Sequence, residues 1–173
     1  YREIRQSLVD MREMFELIDT VPEVTDAADA RPLEVREGRV RFRDVSFGYG
    51  SDRRILEGVD FEVPGGGTLA VVGPTGAGKS TIARLLFRFY DVSAGAVEID
   101  GQDLRRVTQA SLRAALGVVP QDTVLFNDTI GYNIAYGRAD ATRAEIEAAA
   151  KAAQIHDFVT GLPEGYDTTV GER

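Results

Sequence analysis

Apolar residues recur in the first twenty positions at Ile4, Leu8, Met11, Phe15 and Ile18, spaced four, three, four and three apart, so they form one stripe on a helix over 3–19. Such a stripe needs a partner surface. Val21-Pro22 ends the helix, and 22–32, rich in Asp and Ala between two prolines, reads as a linker. The period then drops to two. Val40 and Phe42, Val45 and Phe47, and Val59, Phe61 and Val63 alternate as half-buried strands do. Pro64-Gly65-Gly66-Gly67 turns the chain into an apolar run, Leu69 to Val72, that predicts a buried strand, and Ile82, Leu85 and Leu86 restore the helical period. Beyond them, 96–100 reads as a strand ending at Gly101, and 117–119 as a short buried strand stopped by Pro120. The last third turns helical over 129–136 and 142–154, where Thr142 and Glu145 have capping-box spacing. There is no internal repeat and no low-complexity tract.

Composition narrows the classes without choosing among them. With 173 residues, 43% apolar and 28% charged, the chain can bury a real core. Its net charge of −8 repels nucleic acid and anionic membrane surfaces at long range, so no nucleic-acid partner is expected. The absence of cysteine removes disulfides, thiol chemistry and cysteine-built metal sites. No apolar run approaches the roughly 20 residues that span a bilayer, and the start, Tyr1, does not resemble a signal peptide.

The chemistry is concentrated after the Leu69–Val72 run. Gly73, Pro74, Thr75, Gly76, Ala77, Gly78, Lys79 and Ser80 match the phosphate-binding pattern G-x-x-x-x-G-K-[ST], with a predicted strand before and a helix after. Glycines let successive N–H groups converge on phosphate oxygens at the positive end of a helix. Lys79 adds a mobile charge for the outer phosphates, and the Ser80 hydroxyl suits Mg²⁺. This pattern implies a nucleoside triphosphate, but leaves kinase, GTPase and transporter open. Tyr49 closes a predicted strand, where its ring could stack on a base or simply pack. Gln121 follows the 117–120 segment, where an amide oxygen could reach Mg²⁺ or a water, and alone it says nothing.

Tyr49, the Gly73–Thr81 run, Val118-Val-Pro-Gln-Asp122 and Thr169-Val-Gly-Glu-Arg173 stand in the order and spacing that resemble the nucleotide-binding domains of ABC transporters, over nearly the whole chain. The likeness is strongest to ABCB-type exporters. Leu125–Ile130, Tyr132–Gly137 and Ala153–Phe158 are similar to the half-transporters linked to heavy metals, glutathione conjugates and iron–sulfur export.

The resemblance implies an α/β fold: a P-loop NTPase (ABC ATPase) core with an antiparallel β subdomain and the start of an α-helical subdomain, incomplete at the C-terminus. It implies 1–20 as the cytoplasmic end of the last transmembrane helix, 21–37 as linker and 38–173 as the N-terminal part of the nucleotide-binding domain. Tyr49 would stack on adenine, Gly73 to Thr81 would cradle the phosphates of ATP, and Ser80 and Gln121 would face Mg²⁺. Residues 123–136 would line the groove that receives a coupling helix, and 169–173 would form the x-loop. The implied partners are the transmembrane domain of the same polypeptide, reached through coupling helices, and a second nucleotide-binding domain. The implied location is the cytoplasmic, or matrix-equivalent, face of a membrane.

The likeness stops at Arg173, before the family places its Leu-Ser-Gly-Gly signature, its Walker B Asp and Glu, and its switch histidine, so no catalytic residue is expected within the chain. His156, the only histidine, reads as an ordinary surface or half-buried residue. The expectation is that the parent hydrolyses ATP and that these residues alone do not, with an unpaired sheet edge beside the phosphate-loop strand that favours marginal stability or association. The rivals are a soluble kinase or GTPase, which lacks support because no Asn-Lys-x-Asp sequence occurs, and a soluble ABC ATPase or non-catalytic nucleotide-binding module.

Overall fold

The alternation at 40–63 forms the backbone of the fold, pairing strand β1 (Val40–Gly48) antiparallel with β2 (Arg54–Val63). The computed structural model describes residues 5–7, 11–12, 14–16, 22–50, 54–121 and 124–171. They fall into two compact units, Tyr1–Gly117 and Val118–Arg173. In the first, β3 (Ala94–Ile99) and β4 (Gln102–Asp103) complete a four-stranded antiparallel sheet of order β2-β1-β3-β4. Register follows the apolar pattern: Phe42 lies opposite Phe61 on one side and Val97 on the other, and the Phe42 and Phe61 rings stack at 4.6 Å.

Asp100-Gly101 makes the two-residue turn from β3 to β4, with φ of 49° and 76°, the left-handed pair that a type I′ hairpin requires. Helices α1 (Lys79–Leu86) and α2 (Gln109–Ala115) join the sheet through Leu85 and Leu112, which are buried with Phe42, Val45, Phe47, Leu56, Val97 and Ile99. Each such side chain contributes about 1.5–3 kcal/mol by leaving water.

The end of α1 is unusual. Arg88 takes φ 51° while its N–H bonds Leu85 O and the next N–H, of Phe89, bonds Arg84 O, both at 3.0 Å. That is a Schellman closure with arginine where glycine is the usual residue, a left-handed conformation that costs about 1–2 kcal/mol. Burial and hydrogen bonds of the Arg88 guanidinium hold it there.

The stretch expected as a linker is hydrogen-bonded to this unit along its length. Gln109 N–H donates to Asp26 Oδ1, Thr108 N–H to Arg31 O, and Leu33 N–H to Ser111 Oγ. The Gln102 amide pairs with both backbone groups of Glu34. Asp100 accepts from the N–H groups of Arg36, Glu37, Gly38 and Arg39, and these bonds, first that from Arg36, hold its carboxyl down at about 2.

In the second unit β5 (Asp128–Thr129) pairs antiparallel with β6 (Thr169–Val170). Helix α3 (Ile130–Ala135) is capped by Thr129 Oγ1, α4 (Arg143–Ala152) begins at Thr142 with the capping box complete, and α5 is His156–Thr160. Ala150, Val159 and Tyr166 form the core of this unit. His156 is half-buried and its Nδ1 hydrogen-bonds the Tyr166 hydroxyl at 2.8 Å, which satisfies a buried phenol and matches the ordinary role expected of it.

Two expectations need correction. Residues 69–72 and 117–119 form no strand, and Val72 and Val119 are 88% and 95% exposed rather than buried. An apolar run becomes a core strand only when neighbours pair with it and cover it, and among the described residues no segment makes a ladder with either run. The stripe at 3–19 lies partly outside the described residues: 5–7, 11–12 and 14–16 are helical, Met11 and Phe15 are exposed, and Ile4, Leu8 and Ile18 are not described. Among the described residues no helix is long and apolar enough to cross a membrane.

Candidate functional site

Gly78 is the hinge of the site. It adopts φ 86° as the N-cap of α1, an angle that favours glycine, and a Cβ there would lie 2.8 Å from Leu56 Cδ2 and force that side chain of β2 to shift. The tight turn before it is closed by Ala77 N–H to Pro74 O at 3.2 Å. Geometry leaves the first N–H groups of α1 without partners inside the helix, so Lys79 and Ser80 present donors at the positive end of the helix dipole.

Lys79 stands across the turn. Its Nζ donates to Gly73 O and Pro74 O, each at 2.8 Å, so the ammonium is held over the loop by two backbone carbonyls. Ser80 is exposed at the start of α1, whereas Thr81 is buried. Gly73, Pro74, Thr75, Gly76 and Ala77 are all exposed. An exposed run of backbone beside a helix N-terminus, with a captive cation held over it, can take an anion of several oxygens.

Tyr49 joins this loop through α1. Its hydroxyl lies 3.4 Å from Thr81 Oγ1 and accepts from Arg84 Nη1 at 3.0 Å, while the Arg84 guanidinium lies 5.9 Å from the ring centroid. The ring packs edge-on against Phe47 and Tyr90, at 4.9 and 5.1 Å, and remains 43% exposed. Partial burial pushes the Tyr49 phenol up, but the hydrogen bonds to Thr81 and Arg84 and the Arg84 charge outweigh it, and the net shift is down. Arg84 is shifted up, chiefly by its bond to Tyr49. A cavity of about 530 Å³ opens beside Tyr49, walled by Glu23, Val24, Phe47, Tyr90 and Asp91. A larger hollow of about 620 Å³, between 29–36 and the Asp100-Gly101 turn, contains no residue of the phosphate loop, so size does not mark the site.

The first unit therefore brings Tyr49 together with the loop and α1. Gln121 belongs to the second unit, where it is exposed and outside any helix or strand. Of the neighbouring motif residues, Asp122 and Thr123 lie outside the described residues, as do Glu172 and Arg173 at the end of the expected x-loop. Thr169 and Val170 are the strand β6. The segment expected to line a groove carries exposed Phe126, Tyr132 and Tyr136, with Phe126 and Tyr136 rings 4.3 Å apart. Arg84 escaped the reading of the sequence, although it lies three residues after Thr81, the spacing that puts two side chains on one helix face.

The Ser80 hydroxyl, at the start of α1, is the kind of oxygen donor that Mg²⁺ takes beside substrate phosphates. In the other unit the Gln121 side chain carries an amide oxygen, a donor of the same chemical kind.

Comparison with known proteins gives a consistent picture. The family model described as ABC transporter matches residues 56–172. The chain is similar to an ATM1-type heavy metal exporter of Novosphingobium aromaticivorans, 65% identical over the whole chain and 28% of the relative's length. It is 58% identical to ATP-binding cassette sub-family B member 6 of Homo sapiens, again over the whole chain and 20% of that protein. The mitochondrial iron–sulfur clusters transporter atm1 of Aspergillus fumigatus is 55% identical, with 24% of its length covered. Among solved structures, a bacterial Atm1-family ABC exporter with ATP bound superposes with TM-score 0.89 and 65% identity, covering all of this chain and 30% of that one. The chain thus spans less than a third of the length of these relatives.

Proposed function

The chain belongs to the ABC transporter family, and we propose that it is the MgATP-binding portion of an exporter in which nucleotide binding and hydrolysis drive transport across a membrane. The observation that carries this reading is Lys79 Nζ held by Gly73 O and Pro74 O at the mouth of a loop that opens onto the start of α1. An entering triphosphate exchanges those two carbonyls for phosphate oxygens, which are charged acceptors and bind the ammonium more strongly. The N–H groups of Gly76, Gly78, Lys79 and Ser80 take the remaining oxygens. Thr81, in the first turn of α1, lies 3.4 Å from the Tyr49 hydroxyl, so the anion site at the start of α1 and the ring offered to the base at the end of β1 meet through this contact.

Ser80 would offer its hydroxyl to Mg²⁺, Gln121 carries a second oxygen donor of the kind that ion takes, and the ion would supply positive charge against the phosphates. The residues of this chain position the nucleotide: Lys79 fixes the outer end, Tyr49 the base, and Gly78 the approach of the backbone. Partners in this reading are the transmembrane domain of the parent and a second nucleotide-binding domain, with 124–136 as the face offered to a coupling helix. The exposed aromatics Phe126, Tyr132 and Tyr136 support that face. The location is the cytoplasmic or matrix-equivalent side of a membrane, and the names of the relatives favour heavy metals or iron–sulfur-related compounds as cargo class.

The test is ATP hydrolysis by the full-length protein in a lipid bilayer. Steady Mg²⁺-dependent turnover is expected, and Lys79→Ala reduces it by at least about a hundredfold, as befits a reaction that depends on positioning and charge. Turnover by Lys79→Ala at the unaltered rate would contradict the proposal.

A further inference from the structure

Arg88 is the most buried charged group in the described residues, 3% exposed, and nothing in nucleotide binding accounts for it. Its guanidinium is spent on three separate pieces of chain. Nε donates to Asp91 Oδ1 at 2.9 Å, Nη1 to Val107 O at 3.1 Å, and Nη2 to Thr25 O at 3.1 Å, with Asp26 Oδ1 at 3.6 Å from Nη1. The same Asp26 oxygen accepts from the N–H of Gln109, the first residue of α2. Segment 24–31 is thereby fastened between α1 and α2 by one cation and one carboxylate.

The place of Arg88 along the chain gives this fastening a direction. It is the left-handed residue that closes α1, and the other end of that helix is the Gly78–Ser80 phosphate site, about 12 Å away along eight residues. A left-handed arginine is held there only by its surroundings, so moving Thr25 and Asp26 disturbs the geometry at which α1 ends. A second observation points the same way. Glu23 and Val24, immediately before the fastened residues, wall the cavity beside Tyr49 together with Tyr90 and Asp91, and Asp91 is the carboxylate that Arg88 grips.

We infer that Arg88 is a positioning residue that couples segment 23–31 to the nucleotide site, so that docking of this segment and occupation of Gly73–Thr81 strengthen each other. The inference rests on the MgATP reading above. Coupling between two sites is reciprocal: if docking improves nucleotide affinity, nucleotide must tighten docking by the same factor. Planarity and five fixed donors on three nitrogens let arginine reach three spread acceptors in one geometry, whereas the three donors of lysine converge on a single nitrogen. Along the chain the segment follows the helical residues 5–7, 11–12 and 14–16.

The test uses the full-length protein under non-hydrolysing conditions, with two readouts: titration of MgATP, and amide hydrogen exchange across 22–34. In the wild type, saturating MgATP slows exchange at 24–33 by on the order of fivefold, and Asp26→Ala weakens MgATP binding by a similar factor while the amides of β1 and β3 stay protected. Arg88→Ala abolishes the nucleotide-dependent slowing, and Arg88→Lys restores it only in part. Unchanged exchange at 24–33 in a protein that binds MgATP overturns this inference alone. So does wild-type affinity in a folded Asp26→Ala protein, which keeps the experiment decisive if Arg88→Ala fails to fold. A wild-type protein that binds no MgATP overturns the nucleotide reading and this inference with it.

Discussion

The Tyr49 ring is fixed but only partly covered. Phe47 and Tyr90 meet it at near-right angles, Arg84 and Thr81 hold its hydroxyl, and much of the residue remains exposed. A braced aromatic surface with an open face is what a flat base can stack on, and stacking of this kind contributes about 1–3 kcal/mol. Replacing Tyr49 by alanine is therefore expected to weaken ATP binding by on the order of tenfold or more. Tyr49→Phe, which keeps the ring and loses the hydroxyl, retains most of the affinity. Titration of a fluorescent ATP analogue separates the two, and equal loss in both variants would assign the effect to the hydroxyl rather than the ring. Much at this scale was legible in the sequence, because Gly78, Lys79 and Ser80 are constrained by chemistry that admits few substitutes. Arg88 was not legible, since nothing in its neighbours signals a left-handed, buried arginine whose partners are carbonyls distant in sequence.

Strands and helices divide by what sustains them. The β1, β2 and β3 pattern was legible because alternation and pairing lie within the chain, and α4 because Thr142 and Glu145 specify its first turn locally. The runs at 69–72 and 117–119 were read as strands from hydrophobicity alone, which records a tendency to be buried but not the partner that would do it. The turn between β3 and β4 shows how a local choice reaches far. Asp100 adopts the turn and then caps four N–H groups of 36–39, so one carboxylate fastens the end of the approach segment to the sheet. Its carboxyl lies at about 2 in the folded chain, below the ordinary aspartate range. A depressed carboxylate contributes stability above its unfolded value that is lost as pH falls through the folded one. Amides 36–39 are accordingly expected to stay protected at pH 5 and to open as the pH is lowered from about 4 towards 2. Asp100→Asn should show faster exchange at neutral pH and little change over that window. Hydrogen exchange read residue by residue checks both, and an acid-insensitive wild type would count against this role for Asp100.

At the scale of the molecule, the chain divides into one unit that holds the loop, α1 and Tyr49, and another that holds Gln121 and the exposed aromatic face. Family membership was legible from motif order, because each motif is a short stretch with its own chemical task. The use of Gln121 was not, because a lone amide names no partner. What unites these observations is the claim that Gly73–Thr81 binds the phosphates of ATP, with Lys79 as the cation that does most to hold them. The measurement that tests it most directly is equilibrium titration of MgATP into the full-length protein and its Lys79→Ala variant, without turnover. Removing a charge-assisted contact worth about 1.5–3 kcal/mol predicts saturable one-to-one binding per chain in the wild type and affinity lower by roughly ten- to a hundredfold in the variant. Equal affinities in the two, with both proteins folded, would contradict the account.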